Sequence, residues 1–374
     1  MHLAPALASR TFRKLGAARL TTLCDTAGFD VDAALRAWDV LVDPWGDRPV
    51  GATRRRDSDI TDDHSPFEFS LSVEANRIEP RFLVESQGAT GSLTDAWQAA
   101  RATNERLRAA YGVSLARLGL VEDLFAPRVA DVPFAMWHAA WLRHDAAPLF
   151  KVYLSPQAGG AAEAPARTQE AFRRLGLGDA WPSVERLLAR RGGRDRLIYF
   201  SLDLSDDARA RVKLYIAHPG ITARELDALL AGTPGTRAGD VTALCRALTG
   251  QTGSFTARPL LTTLAFTAGD TRPSAVTLHV PIRCYVRDDG VALDNIARHL
   301  GAGPGALYRQ AIERFADRDL RAGVGMQTYV SVQRRGEALR TTVYLAPELY
   351  AVAPPLQPTQ RSAAPAAAAW SLTG

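Results

Sequence analysis

Cationic and aromatic side chains recur together at alternate positions in this chain, within segments whose intervening residues are apolar. Arg211-Val-Lys213-Leu-Tyr215-Ile sets Arg211, Lys213 and Tyr215 against Val212, Leu214 and Ile216. Lys151-Val-Tyr153-Leu repeats the pattern, Arg340-Thr-Thr342-Val-Tyr344-Leu varies it, and Thr277-Leu-His279-Val-Pro281-Ile-Arg283 adds a histidine. A period of two marks a β-strand, whose successive side chains face opposite ways. If such a face is buried, its arginines and lysines must meet an anion, because unpaired buried charge is very costly. Tyrosines between them suit a cationic or π-rich guest. A diphosphate carrying an allylic group meets both conditions. Arg and Lys would stabilise the charge that develops on the diphosphate as the C–O bond breaks, and tyrosine faces would shield the allylic cation from water. Two dispositions of the polar face are open: toward water on a half-buried sheet, or toward the lumen of a barrel.

Five segments read as hairpins: 66–74 with 79–86, 134–142 with 147–154, 197–204 with 210–217, 259–267 with 274–283, and 325–333 with 339–346. Turn residues stand between the members of each pair, among them Asn76, Asp145 and Gly336. Helical periodicity appears over 33–41, 95–111, 169–190, 223–248 and 292–315. The repeat is helix-helix-strand-strand, five times. The expected fold is α+β: ten antiparallel strands closed into a barrel, which removes exposed sheet edges, with the helices outside. Helices between the hairpins must pack on something apolar, which turns the polar face inward. An open α+β sheet or two α+β domains is the alternative. The barrel is expected over residues 1–352, with 353–374 as a Pro/Ala-rich C-terminal tail.

Composition excludes several classes. The chain has 374 residues, 47% hydrophobic and 23% charged, with no apolar run near the ~18 residues of a membrane span. Met1 to Leu20 is interrupted by Arg10, Arg13, Lys14 and Arg19 and lacks the pattern of a signal peptide. Cys24, Cys245 and Cys284 form no CxxC, so a reducing cytoplasm is the expected compartment. The net charge of +5 does not mark a nucleic-acid binder: Arg54-Arg55-Arg56 is followed by Asp57, Asp59, Asp62 and Asp63, and no recognition motif accompanies it. The acidic pairs Asp62-Asp63, Asp206-Asp207 and Asp288-Asp289 do not read DDxxD, and there is no GxxxxGK[ST]. No metal or other cofactor is therefore expected.

The segments Asp63-His-Ser-Pro-Phe-Glu68-Phe-Ser, Phe150-Lys151-Val-Tyr153-Leu-Ser-Pro, Leu202-Asp203-Leu204, Arg211-Val-Lys213-Leu-Tyr215, Thr277-Leu-His279-Val-Pro-Ile-Arg283-Cys-Tyr285 and Thr342-Val-Tyr344-Leu share an order and spacing. Together, from Leu20 to Tyr350, they resemble the dimethylallyltryptophan synthase-like indole prenyltransferases, above all the bacterial tryptophan prenyltransferases. That resemblance implies the ABBA barrel and metal-independent transfer of a dimethylallyl group from dimethylallyl diphosphate to L-tryptophan. By the same resemblance Glu68 accepts the indole N–H, and Arg81, Lys151, Arg211 and Lys213 clamp the diphosphate; His279 and Arg283, on one strand face, depart from the family pattern and are candidate additions to the clamp. Tyr153, Tyr215, Tyr329 and Tyr344 match the tyrosine shield. Gln327, on the strand face of Tyr329, joins Thr342, Arg196 and His138 as candidate substrate contacts, Arg196 for the amino-acid carboxylate. His279 stands where fungal members often have tyrosine. The lysine that those members associate with regiochemistry has no clear counterpart, His138 and Arg143 being nearest. The implied attack is at a benzene-ring carbon such as C6, or at N1 in the reverse sense. A cyclic dipeptide or phenolic acceptor, and a non-catalytic carrier of anionic or aromatic ligands, are the alternatives.

Overall fold

The five strand pairs form five hairpins in the computed structural model, which describes residues 10–51, 54–75, 77–144 and 146–357. They are β1 (Phe67–Glu74) with β2 (Arg77–Glu85), β3 (Met136–Arg143) with β4 (Ala146–Leu154), β5 (Arg196–Asp203) with β6 (Val212–His218), β7 (Leu260–Phe266) with β8 (Ala275–Pro281), and β9 (Gln327–Arg335) with β10 (Ala338–Leu345). Each strand pairs antiparallel with its sequence neighbours, and β1 also pairs with β10, so the sheet closes on itself. The closed barrel is the expected one and the open sheet is excluded. The turn residues Asn76 and Asp145 lie outside the described residues.

Helices cover the barrel. They are α1 (Phe12–Ala27), α2 (Val31–Val42), α3 (Leu93–Tyr111), the one-turn α4 (Ala116–Gly119) and α5 (Glu122–Phe125), α6 (Ala164–Arg174), α7 (Trp181–Ala189), α8 (Ala223–Leu230), α9 (Asp240–Thr249), α10 (Asp289–Leu300) and α11 (Ala302–Phe315). Three stretches that read as continuous are broken in two. Gly301 separates α10 from α11 at φ 84°, a backbone conformation that glycine adopts without steric cost. The N-terminal α1 has no counterpart among the expected helices. It is capped by Thr11, which accepts from the Lys14 N–H at 3.3 Å, and it packs on α2 and α11, joining the first helices to the last.

The alternation now has a physical sense. Phe67, Phe69, Leu71, Phe82, Val212, Leu214, Ile216, Val330 and Val343 form the outer strand face and belong to the buried layer beneath the helices. Trp38 of α2 shows how tightly that layer is set. Its ring lies 5.0 Å from Phe67 and 5.5 Å from Phe82, and its Nε1 donates to the Arg13 carbonyl at 3.1 Å. A Cβ on Gly16 would stand 1.9 Å from that ring, so α1 and α2 touch only because residue 16 is glycine. With the apolar face committed outward, the polar face lines the lumen.

The chain stays attached past residue 352. Val324 N–H donates to the Ala353 carbonyl at 3.0 Å and Leu356 N–H to that of Arg287 at 2.7 Å, while residues 358–374, most of the expected tail, lie outside the described residues. Among the described residues no helix is long and apolar enough to cross a membrane. Trp38→Ala is expected to cost about 3–5 kcal/mol, as for a large aromatic lost from a packed core. Urea unfolding reads this directly, and an unchanged midpoint would show that the contact does not hold the helix layer to the barrel.

Candidate active site

The lumen is layered along the barrel axis. Nearest the hairpin turns lie five cations that line one cavity: Arg81 on β2, Lys151 on β4, Lys213 on β6, Arg211 just before β6, and Arg340 on β10. Trp141 on β3 stands among them, with the guanidinium carbons of Arg81, Arg340 and Arg211 at 4.3, 4.9 and 5.8 Å from its ring centre. Its Nε1 donates to Glu79 at 2.7 Å. Arg211 is paired with Asp203 at 2.8 Å and Arg340 donates to Glu74 at 2.7 Å. Arg81 donates to Ser72 at 2.9 Å, but its Nε meets no hydrogen-bond partner. Arg81, Lys151 and Lys213 have no salt bridge among the described residues. This layer carries cations in excess of the carboxylates that pair with them.

Crowding shows in the proton affinities. Burial, with Arg211 close by, brings the Lys151 ammonium down to about 7. Burial, then Lys151 and Arg211, lowers Lys213 well below the ordinary lysine range. Even Arg81 falls to about 10, again through burial. Burial opposes the charge on Asp203, but Arg211 overcomes it and holds this carboxyl below its usual range.

A belt of rings follows. Tyr153, Tyr215, His279 and Tyr344 are neighbours in that order, with ring centres 5.7, 5.6 and 5.9 Å apart. Tyr153 and Tyr215 share a hydroxyl–hydroxyl hydrogen bond at 3.2 Å, and Tyr344 meets Ser331 at 3.3 Å. His279 Nε2 bonds Thr263 at 2.8 Å. Burial and the two lysines push the imidazole down to about 3, so His279 is neutral and belongs to the ring belt. Tyrosine phenols that burial pushes up, as at Tyr153 and Tyr344, also stay neutral. Their faces present π density without net charge.

Glu68 projects from β1 into the same cavity. Burial lifts its carboxyl to about 8, moderated by Arg258. Toward the end of the barrel opposite the hairpin turns lie Trp137, Tyr199 and Tyr329. Trp137 and Tyr199 rings are 5.2 Å apart, and the Arg258 guanidinium lies 5.6 Å from the Tyr329 ring centre. An anion bound at the hairpin end and a flat heteroaromatic donating N–H to Glu68 would meet across the ring belt. Among the described residues no group of three His, Cys, Asp or Glu is arranged to hold a metal ion.

Glu68, Arg81, Lys151, Tyr153, Arg211, Lys213, Tyr215, His279, Thr342 and Tyr344 thus converge on one cavity. Tyr329 lies beyond the lining of that cavity, packed with Tyr199 against the cluster of Ile198, Tyr215, Ala217 and Leu261. Four expected contacts sit elsewhere. Gln327 points outward, where its amide donates to the Asp289 carbonyl at 2.7 Å and accepts from Tyr308 at 2.7 Å. An extra residue in β9 opposite Tyr344 inverts the alternation between Val330 and Gln327. His138 also faces the helices, donating to Asn104 of α3 at 2.8 Å. Arg196 is exposed at the first position of β5. Arg283 lies past the end of β8, paired with Asp62 and away from the cation layer.

Sequence reasoning missed Trp137, Trp141, Tyr199, Arg258 and Gln333, and it placed Arg340 on the polar strand face without assigning it to the clamp. Arg340 shares the alternation of Tyr344 and was within reach of that signal. Trp141 stands in Trp-His-Ala-Ala-Trp-Leu-Arg, where both strand faces are apolar and the alternation is silent. Tyr199 follows a register shift in β5, and Arg258 precedes its strand.

A family model described as tryptophan dimethylallyltransferase matches residues 37–303. The 6-dimethylallyltryptophan synthase of Micromonospora olivasterospora, solved in complex with DMASPP and Trp, is 33% identical, with a TM-score of 0.85 over 92% of this chain and 99% of that one. The 5-dimethylallyl tryptophan synthase of Streptomyces coelicolor, also in complex with DMASPP and Trp, is 30% identical, with a TM-score of 0.83 over 93% and 98%. The prenyltransferase PriB, in a ternary complex with L-tryptophan and dimethylallyl thiolodiphosphate, is 31% identical, with a TM-score of 0.82 over 95% and 100%.

The two crowded lysines give a measurable consequence. Inorganic pyrophosphate favours their charged forms, so its binding near pH 7.5 is expected to take up about one to two protons. Affinity should fall as pH rises above about 7, where Lys151 sheds its proton in the empty barrel. Calorimetry in buffers of different ionisation enthalpy counts the protons. A heat independent of buffer would mean that both amines are already charged.

Proposed function

We infer the reaction from the premise that the chain belongs to the tryptophan dimethylallyltransferase family. It is an enzyme that transfers a dimethylallyl group from dimethylallyl diphosphate to the indole of L-tryptophan. The observation that carries this reading is the order of the lumen: an excess of cations, then neutral rings, then a buried carboxylate. That order matches the order of charges along the reaction coordinate.

In this reading Arg81, Lys151, Arg211, Lys213 and Arg340 hold the diphosphate. As the allylic C–O bond breaks, its electron pair passes to the diphosphate oxygen, and charge-assisted hydrogen bonds strengthen there. The dimethylallyl cation lies against Tyr153, Tyr215 and Tyr344, whose π faces stabilise it and exclude water. The indole N–H donates to Glu68. The ring attacks, a carbon–carbon bond forms, and loss of the proton from the attacked carbon restores aromaticity. Holding both reactants in one enclosed site supplies proximity and alignment. The arginines and lysines serve as counter-charge to the diphosphate, with no metal ion required. The catalytic unit is the single barrel domain expected over 1–352. Cys24, Cys245 and Cys284 are all unpaired, which supports a reducing, cytoplasmic setting.

For the attacked position we favour a benzene-ring carbon such as C6. An N–H engaged with Glu68 is turned away from the cation, which argues against N1. The 6- and 5-positions for which the relatives are named are adjacent ring carbons, which proton NMR couplings of the product tell apart.

Incubation with L-tryptophan and dimethylallyl diphosphate in excess EDTA is expected to give a product heavier by one dimethylallyl substituent, with proton NMR couplings of a substituted benzene ring. Product from a cyclic dipeptide or a phenol but not from tryptophan would replace the acceptor. Pyrophosphate binding without turnover of any acceptor would make the barrel a carrier. Glu68→Gln should lower kcat about a hundredfold or more while leaving the circular dichroism spectrum unchanged. In the unsubstituted enzyme, kcat/KM for tryptophan should rise with pH toward about 8 as Glu68 ionises. The Gln variant should lose that rise; a persisting rise would remove Glu68 from the mechanism.

A further inference from the structure

Beyond the cation layer, at the rim formed by the hairpin turns, the lumen face of β9 carries one more arginine. Arg335 ends that strand, two residues past Gln333, which lines the cavity. Glu74, at the end of β1, stands between this arginine and the layer. It accepts from Arg340 through Oε2 at 2.7 Å, and its Oε1 lies 3.7 Å from Arg335. Side-chain exposure rises along this line, from 12% at Arg340 through 31% at Glu74 to 45% at Arg335. Burial and then Arg340 lower the proton affinity of the Arg335 guanidinium, while Glu74 supports it. The three groups therefore act on one another across the rim. The other way out of the layer crosses the ring belt and then meets the Glu68 carboxyl. For a diphosphate the rim is the easier route.

We propose that diphosphate passes in and out through the hairpin end, with Arg335 as its outer station and Glu74 exchanging between the two arginines. This rests on the prenyl-transfer reading above. With the anion in the layer, Arg340 turns to it and Glu74 keeps Arg335. As the anion moves out to Arg335, Glu74 takes Arg340 back. Each state pairs both guanidinium groups, so no step leaves a buried charge uncompensated, which would be costly. The exchange also gives release a direction, because the carboxylate that returns to Arg340 repels the departing anion toward solvent. Arg335 lies outside the lining of the cavity, so it governs the rate of passage more than the affinity of the inner site. A charge at a rim has that character.

The test follows inorganic pyrophosphate by stopped-flow, read through intrinsic fluorescence, since Trp141 stands within the layer. In Arg335→Gln the association and dissociation rate constants should both fall about threefold or more, with their ratio nearly unchanged. The dependence of association on salt should weaken as well. Unchanged rate constants overturn the proposal. Faster dissociation at an unchanged association rate would make Arg335 one more residue of the clamp, and would overturn it too. Glu74→Gln removes the exchange partner, so pyrophosphate should leave about threefold more slowly or less, and inhibit turnover at lower concentration. Release as fast as in the unsubstituted enzyme would strike Glu74 from the passage. Arg194, exposed in the turn before β5 at the opposite end, supplies the control. Arg194→Gln should leave both rate constants in place; slowing there would put the passage at that end and overturn the proposal. Turnover of tryptophan is measured separately, and its absence beside the expected pyrophosphate rates would fail the reading above and not this inference.

Discussion

An excess of positive charge enclosed by protein is the constraint to which the rest of this structure answers. Five cations share one layer of the lumen, and Asp203 and Glu74 pair with only two of them. Such a cluster cannot be tolerated in a dry apolar core, and in an open cleft water would screen it and quench any carbocation formed beside it. A closed barrel with a polar lumen meets both demands. It keeps solvent to what the lumen admits, and it surrounds the charges with hydroxyls, carboxylates and π faces in fixed positions. Trp141 illustrates the device, since three guanidinium groups lie within 5.8 Å of its ring centre and cation–π attraction offsets part of their mutual repulsion.

Inverting the usual polarity of a sheet has structural consequences. The apolar strand face must be covered everywhere, so every hairpin is accompanied by helices, and α1 links the last helices back to the first. Breaks such as Gly301 let a helical stretch follow the curved outer wall. Buried polar groups on the outer face bond across to the helices, His138 to Asn104, and Gln327 to Asp289 and Tyr308. They stabilise the attachment of helices to strands and leave the lumen to the ligands.

The same inversion explains what the sequence revealed. Where lumen residues are cationic or tyrosine and outer residues aliphatic, as in β4, β6 and β10, alternation gave both the strand and its functional face. It failed where the period itself changes. One extra residue in β9 turned Gln327 from an expected substrate contact into a link to α10 and α11, and a similar shift in β5 hid Tyr199. It was also silent in β3, whose lumen face carries Trp137, Ala139 and Trp141 opposite Ala140 and Leu142, so that neither face is marked by polarity. Arg258 and Arg283 stand outside the strands, where no periodicity constrains a side chain. Their association with Asp62 is a property of the closed structure alone.

The division of labour between arginine and lysine follows from the same electrostatics. The chain has three lysines, and two of them, Lys151 and Lys213, are in the lumen. Arginine cannot give up its proton in a protein, so each guanidinium of the layer needs a standing partner: Asp203 for Arg211, Glu74 for Arg340, Trp141 and Ser72 for Arg81. An amine has another course. In the empty barrel a lysine can release its proton, which relieves repulsion without a carboxylate that would later compete with the diphosphate. When the anion arrives the amine can recharge and donate up to three hydrogen bonds to it. Arginines at Lys151 and Lys213 would each need a further standing partner in the lumen, and a carboxylate in that role would repel a bound diphosphate.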